Sequence, residues 1–225
     1  LTFEKVLNET GLERGLDLTL SPQRMIVTGL SGNDTVVMAM TPAASISWQK
    51  KLTSPVPVEH LSVKAALTST LDVLVVQTIY NPATQCDNIA IIKFTSTGVI
   101  SWQKIFATSG TQSDIVSEVV VDSNNNVTIA CNTYIDGVYK ILLLRISAST
   151  GDVAWQMVVD LPNVYVKSMA LSSSSILIGA VQTTIDGPKT LLMSFANTGV
   201  LQWYREISGI PATSGIGVST DSVGN

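Results

Sequence analysis

All four tryptophans of this 225-residue chain lie inside copies of one short sequence pattern. The copies read SISWQK at 45–50, VISWQK at 99–104, DVAWQM at 152–157 and VLQWYR at 200–205, so the tryptophans are 54, 53 and 48 residues apart. A fifth copy opens the chain at 1–5, with Phe3 in the place of the tryptophan. Repetition at a period of about 20 to 50 residues is typical of folds that stack one small unit many times.

A glycine turn precedes three of the four tryptophans at a constant distance. Gly98, Gly151 and Gly199 each lie four residues before a tryptophan, and each follows a threonine. The first copy has Ala43-Ala44 at this place, so its glycine has been lost. The constant offset indicates one turn geometry that recurs from unit to unit.

Short apolar segments fill the intervals between the tryptophans. In each of the last three units, four segments rich in β-branched and aliphatic residues are bounded by Ser, Asn, Asp, Gly or Pro, which is typical of strands. The expected strands are 63–67, 73–77, 89–94 and 99–105 in the second unit, 119–121, 127–131, 141–146 and 153–159 in the third, and 167–171, 176–181, 191–195 and 200–207 in the fourth.

Four strands in a unit of 45 to 54 residues predict an all-β fold, a β-propeller built from four-stranded antiparallel blades. One large ring per blade fills the wedge between neighbouring sheets. We therefore expect Trp48, Trp102, Trp155 and Trp203 to pack in cores rather than to stack on a ligand. The alternatives are a β-solenoid, whose coils are normally shorter, and a sandwich, which does not account for the repeat.

Partial units at the two ends predict that residues 1–225 are a segment of a larger propeller. The chain opens on a fourth strand at 1–7 and ends on a first strand and its turn at 217–225. These pieces do not complete a blade together, because both lack a second and a third strand. The alternative is a closed ring of four blades, in which neither terminal segment belongs to a blade.

The charge and hydropathy of the chain exclude two kinds of partner. The chain has 13 Lys+Arg against 17 Asp+Glu, and its net charge is −4. Binding to nucleic acid draws its affinity from Lys and Arg on phosphates, so no nucleic-acid partner is expected. Apolar residues make up 45% of the chain, yet they lie in short segments. A spanning helix needs about 18 of them in a row, so no membrane insertion is expected.

The chain has one histidine and two cysteines, which limits the metal sites and catalytic sites that it can form. His60 is the single histidine, which excludes a zinc site with several histidines. It follows Glu59 in the loop before the second unit, where we expect solvated residues rather than an acid/base pair. Cys86 and Cys131 lack metal-ligand spacing, so we expect buried thiols, with a disulfide as the alternative.

The segment 102–155 carries the fullest form of the repeat. It reads WQK at 102–104, VVVDSNNNV at 119–127 and KILLLRI at 140–146, and the ending STDSVGN at 219–225 matches its central element. These motifs resemble the "Trp-Gln-Lys, Asp-Ser-x-Gly-Asn-Val, Leu-Leu-Lys" propeller repeats of large bacterial surface proteins and of tailed-phage virion proteins. The turn and tryptophan at 147–155 are distantly similar to the tryptophan-docking repeat of propellers of the PQQ-dehydrogenase type.

The resemblance implies a non-enzymatic protein that needs no cofactor, namely a structural or host-attachment module of a tailed-phage virion, in a tail fibre or an exterior decoration. It implies a place on the virion surface, within a larger assembly. The implied partners are other virion or surface proteins and a saccharide or protein receptor of the host. Two alternatives stay open: a bacterial extracellular or envelope propeller that acts as an adhesin or scaffold, and a quinoprotein-like enzyme.

A quinone- or metal-dependent enzyme needs a calcium site and an aspartate base. Asp17, Asp114, Asp122 and Asp221 are candidates by residue type, and the last two share the turn between the first and second strands. The turn at 122–126 alternates oxygen side chains as calcium loops do, but it lacks their glycine and their closing acidic residue. We therefore expect an ordinary Asx turn and no metal.

Propellers bind partners through the loops at the ends of their central channel. The longest loops are expected at 80–87, 106–115 and 185–189. Tyr80, Phe106 and Tyr134 are the aromatic residues near strand ends, and they are the candidate loop contacts.

Overall fold

The computed structural model describes residues 13–53, 62–107, 113–207 and 216–220. The chain divides into two compact units, Leu1–Phe106 and Ala107–Asn225. The described residues of each unit form two four-stranded antiparallel sheets in which consecutive strands are neighbours. This is the all-β architecture of propeller blades that the repeat predicted. None of the described residues belongs to a helix long and apolar enough to cross a membrane.

The first unit contains the first and second blades. The first blade consists of β1 (Glu13–Leu20), β2 (Met25–Ser31), β3 (Asp34–Met40) and β4 (Ile46–Leu52). The second blade consists of β5 (Val63–Leu67), β6 (Val73–Asn81), β7 (Cys86–Phe94) and β8 (Ile100–Phe106).

The second unit contains the third and fourth blades. The third blade consists of β9 (Ser113–Val121), β10 (Asn126–Ile135), β11 (Val138–Ser147) and β12 (Val153–Val159). The fourth blade consists of β13 (Val164–Leu171), β14 (Ser175–Thr184), β15 (Gly187–Ala196) and β16 (Leu201–Ile207).

The burial pattern differs between the inner and the outer strands of a blade. The middle strands β7 and β11 are buried on both faces, as their unbroken apolar runs require. The outer strands β4, β8 and β12 alternate between exposed and half-buried residues. Each of these three strands is therefore covered on the face that carries its tryptophan and exposed on the other, where apolar residues such as Ile105 and Val158 also lie.

Each unit has its own apolar core between its two blades. In the first unit the core joins strands of both blades, and Trp48 packs against it. In the second unit Trp155 and Met157 pack against the corresponding core. The first core is Ile26, Val37, Ala39, Val63, Ala65, Val73, Val75, Ile92 and Phe94, and the larger members of the second are Ile141, Leu143, Val164, Ile176, Ile178, Leu191, Met193 and Phe195.

Each of the twelve expected strands overlaps an observed strand, and the boundaries differ by a few residues in most cases. The largest difference is β9, which begins at Ser113 rather than at residue 119. Polar residues interrupt its apolar pattern, but Asp114 and Glu118 still pair with the neighbouring strand β10. Backbone pairing, rather than side-chain hydropathy, therefore sets the length of this strand.

Candidate functional site

The blades of the first unit are joined by Trp48 of β4. Its indole N–H donates a hydrogen bond of 3.1 Å to the carbonyl of Ser96, in the turn before β8. The ring lies on Gly98 of the same turn, where a Cβ atom would be only 2.7 Å from Trp48 Cδ2. Gly98 also has a φ of +83°, which favours glycine on its own. The glycine is therefore required both by the turn and by the ring that rests on it.

Trp155 of β12 makes the same contact in the second unit. Its indole N–H donates a hydrogen bond of 2.9 Å to the carbonyl of Asn197. The ring packs on Gly199, where a Cβ would be 3.1 Å from Trp155 Cε3. In both units the accepting carbonyl lies two residues before the glycine, so the repeated sequence pattern corresponds to a repeated docking geometry.

The remaining members of the repeat occupy the matching places in their blades. Trp102 lies in β8 and is half-buried, and Gly151 has a φ of +70° in the turn before β12. Ala44 replaces the glycine of the first blade and still adopts a φ of +62°. Trp203 lies in β16 and differs from Trp48 and Trp155, because it is 40% exposed.

A cluster of three tyrosines, one exposed and two half-buried, is the most distinctive surface of the second unit. Tyr134 of β10 and Tyr139 of β11 are paired across a hairpin, and their ring centroids are 5.0 Å apart. Tyr165 of β13 continues the series, with its ring 5.0 Å from that of Tyr139. We call these three residues the tyrosine cluster. The ammonium group of Lys167 lies 6.0 Å from the Tyr165 ring, so a cation borders the cluster.

The environment of the cluster raises the pKa of the Tyr165 phenol. Partial burial is the main cause, and the neighbouring phenols of Tyr139 and Tyr134 add to it. The Tyr165 phenol therefore stays neutral at ordinary pH, and the cluster presents hydroxyl groups beside aromatic faces. Such surfaces bind partners that have one apolar face and several hydroxyl or amide groups.

A cleft of about 890 Å³ lies in the first unit. Tyr80, Asn81, Asn88 and Gln77 are among its polar lining residues, and isoleucines form much of the rest. The side-chain Oε1 of Gln77 is buried and has no hydrogen-bond partner. The cleft thus combines amide groups with an apolar wall, and it is the second candidate binding surface of the described residues.

The three aromatic residues expected in loops lie in strands. Tyr80 belongs to β6, Phe106 is the last residue of β8, and Tyr134 belongs to β10. Tyr80 and Phe106 are half-buried, whereas Tyr134 is 41% exposed. Backbone pairing continues to the hairpin turns beside Tyr80 and Tyr134, and it reaches Phe106 in β8, so these side chains lie at strand ends rather than in loops. Of the three, Tyr134 belongs to the tyrosine cluster and Tyr80 lines the cleft.

Two of the expected long loops are short. Only residues 82–85 connect β6 to β7, because both strands extend beyond their apolar segments. The expected loop at 185–189 is a tight turn of Ile185 and Asp186. For the third loop, residues 108–112 lie outside the described residues, and β9 starts directly after them.

Asp122 forms an Asx turn. Its Oδ1 accepts hydrogen bonds from the backbone N–H groups of Asn124, at 2.9 Å, and Asn126, at 2.8 Å. Its Oδ2 forms an ion pair with the guanidinium of Arg145, which also donates to Thr128 Oγ1 at 2.7 Å. Both carboxylate oxygens therefore stabilise the third blade. Among the residues that the structure describes, no group of three or more metal-binding side chains occurs.

The other residues considered for catalysis or metal binding are buried, make structural contacts, or lie outside the described residues. Cys86 and Cys131 are both buried thiols. Burial, with the negative charge of Asp114 as a smaller cause, raises the pKa of the Cys131 thiol. Asp17 accepts a hydrogen bond from the backbone N–H of Ala65 and so joins the blades of the first unit. Glu59, His60 and Asp221 lie outside the described residues.

Similarity to known proteins is limited to the fold. No protein-family model and no curated protein matches the chain. Among solved structures the chain is similar to the Dos1 propeller, with a TM-score of 0.60 and 12% identity over 93% of this chain and 51% of that chain. It thus spans about half the length of that propeller structure.

Two further solved structures match the chain with lower TM-scores. The apocarotenoid oxygenase of Synechocystis has a TM-score of 0.48 and 8% identity, over 84% of this chain and 47% of that chain. The tail fiber of Staphylococcus aureus phage P68 has a TM-score of 0.37 and 8% identity, over 91% of this chain and 40% of that chain. The four sheets and the likeness to the Dos1 propeller define the class of the protein, which is a β-propeller.

Proposed function

We propose that the chain is a non-enzymatic structural and host-attachment module of a tailed-phage virion, located on the particle surface in a tail fibre or an exterior decoration. The blades form a rigid support, and the tyrosine cluster makes the contact with a saccharide or protein receptor on the host. Other virion proteins hold the module in a larger assembly, where many weak contacts add up to firm attachment.

The tyrosine cluster, in which Tyr134 is exposed and Tyr139 and Tyr165 are half-buried, is the observation that carries this proposal. Its rings come from three strands of two blades, so the rigid sheets fix their positions before any partner binds. Tyrosine gives a large contact area and a polar hydroxyl group at low entropic cost. Lys167, the cation at its border, is itself exposed and adds a hydrogen-bond donor.

The ionic side chains of the described residues support a structural role. Carboxylates of the described residues form ion pairs that link neighbouring strands of one blade or the two blades of a unit. An enzyme needs acidic groups that face a substrate, whereas these groups stabilise strands. These pairs include Asp17 with Lys64, Asp34 with Lys51, Asp72 with Lys93, Asp122 with Arg145, Asp160 with Lys140, and Glu206 with Lys189.

Centrifugation of phage particles tests the proposed place in the virion. Particles from the source lysate are banded in a density gradient, and the fractions are probed with an antibody against this chain. We expect the chain to band with infectious particles, and immunogold labelling to mark the tail or the particle exterior. A chain that stays in the soluble fractions contradicts the proposal. Recovery with the bacterial envelope favours the extracellular or envelope propeller instead.

A further inference from the structure

The outer strand of the fourth blade is more open than the other outer strands. All residues of β16 (Leu201–Ile207) are exposed, whereas β4, β8 and β12 each have half-buried residues on one face. Trp203 lies in the middle of this strand and is 40% exposed. Its indole N–H has no hydrogen-bond acceptor among the described residues, unlike those of Trp48 and Trp155.

The contacts of Trp48 and Trp155 show which structure a tryptophan of this repeat packs against. Each ring rests on a glycine with a positive φ in the turn before the outer strand of the next blade. Each indole N–H donates to the carbonyl two residues before that glycine, which is Ser96 for Trp48 and Asn197 for Trp155. The partner of a tryptophan in this repeat is therefore a blade with a glycine turn.

Residues 216–220 already occupy the place next to the fourth blade. The backbone N–H of Val218 donates to Ser168 Oγ at 2.9 Å, and Thr220 Oγ1 donates to the carbonyl of Leu171 at 2.7 Å. In the first unit, the backbone N–H of Ala65 likewise donates to a side chain of the preceding blade's first strand, Asp17 Oδ2, at 2.9 Å. The segment 216–220 thus lies against β13 as β5 lies against β1.

We propose that a further blade of the same polypeptide packs against the face of the fourth blade that carries Trp203. The first strand of that further blade is 216–220. In that blade a glycine with positive φ receives the indole ring, and the carbonyl two residues before it accepts the indole N–H. This inference goes beyond the proposed function, because it holds whatever the module attaches to.

A second copy of this chain is a poorer occupant of the same face. The first blade of a second copy has Ala44 at the glycine position. At Gly98 and Gly199 a Cβ would be 2.7 Å and 3.1 Å from the ring atoms of the docked tryptophan. The methyl group of Ala44 therefore keeps a tryptophan from docking as closely as Trp48 and Trp155 do.

An extended chain tests the proposal with sequence that the protein already contains. The sequence DSVGN at 221–225 is similar to DSNNN at 122–126, so a copy of 127–159 is fused after Asn225 to supply a second, third and fourth strand with a glycine turn. The copy carries Trp155→Phe, so that its peptides differ from the original. A matched control has the same extension with Gly151→Ala in the copy. The readout is oxidation of Trp203 by hydroxyl radicals, measured by mass spectrometry, with protease resistance of the extension as the test of folding.

We expect the oxidation rate of Trp203 to fall to that of Trp155 in the extended chain and to stay at its original value with the Gly151→Ala copy. Equal oxidation of Trp203 with and without the extension contradicts the proposal, and so does equal protection by both copies. Digestion of the extension while 1–220 stays intact also contradicts the proposal, because a blade of this repeat would then not fold against the face that carries Trp203. Protection of Trp203 in the unextended chain that grows with protein concentration assigns the face to a second copy instead.

Discussion

The indole N–H of Trp48 donates a hydrogen bond of 3.1 Å to the main-chain carbonyl of Ser96. The acceptor lies 48 residues further along the chain, in the next blade. Because Gly98 of the same turn leaves room for the ring, one contact joins the outer strand of one blade to the turn of the following one. The repeated tryptophan thus supplies the donor, and the repeated glycine turn supplies the acceptor, of the contact between the two blades.

We predict that Gly98→Ala destabilises the first unit more than Gly32→Ala does. Both glycines have a positive φ, but a Cβ at Gly32 meets nothing within 4 Å, whereas one at Gly98 meets Trp48 at 2.7 Å. Gly32→Ala is expected to cost about 1 to 2 kcal/mol of backbone strain, and Gly98→Ala about 1 to 3 kcal/mol more through overpacking. Urea unfolding of the two variants measures the difference. If both variants lose the same free energy of unfolding, the packing of the Trp48 ring does not require a glycine at position 98.

Trp155→Phe and Trp203→Phe separate a docked ring from an exposed one. Trp155→Phe removes the hydrogen bond to Asn197 and part of a packed ring, so the unfolding free energy falls by about 1 to 3 kcal/mol. Trp203→Phe changes it by less than about 0.5 kcal/mol in the 225-residue chain, because Trp203 is 40% exposed and makes no such bond. Thermal and urea unfolding check both values. A large loss in Trp203→Phe contradicts the view that its face is open.

Arg145 is predicted to be the most important charged side chain of the third blade. It is 5% exposed and paired with Asp122. Arg145→Met leaves the Asp122 carboxylate with a missing partner, which is expected to cost about 3 to 5 kcal/mol. Lys189→Met is the control, because the side chains of the Lys189–Glu206 pair of 3.2 Å are 35% and 46% exposed and the pair is expected to contribute less than about 1 kcal/mol. Similar losses in both variants show that burial does not strengthen the Arg145 pair.

The strands of the blades were predictable from local sequence, whereas the tyrosine cluster was not. Strands follow from short apolar runs and turn residues, which are local properties. Tyr134 was identified from the sequence, but Tyr139 and Tyr165 were missed, because contact between side chains of different strands depends on register and bulges. One signal was present: Asp136-Gly137 is a two-residue hairpin turn, with φ of +52° and +82°, and it places Tyr134 opposite Tyr139.

The raised pKa of Tyr165 predicts a dependence of stability on alkaline pH. The phenol of the unfolded chain loses its proton near pH 10, at about its ordinary pKa. In the folded state the pKa lies above that value, so the contribution of Tyr165 to stability is complete below the unfolded pKa and is lost as pH rises through the folded pKa. Tyr165→Phe is expected to flatten the fall in unfolding free energy over this range. Urea unfolding at several alkaline pH values, with near-ultraviolet absorbance of tyrosinate, tests this. An unchanged slope in Tyr165→Phe contradicts it.

The most direct test of attachment through the tyrosine cluster is competition for particle adsorption. Purified chain is added to cells of the bacterial host before the particles, and the fraction of particles that adsorb is counted. We expect the chain to reduce adsorption, Tyr134→Ala to lose most of this effect, and Tyr204→Ala, an exposed tyrosine of β16 outside the cluster, to keep it. Circular dichroism establishes that both variants are folded. Equal competition by Tyr134→Ala and the unaltered chain, or no competition by either, contradicts attachment through this surface.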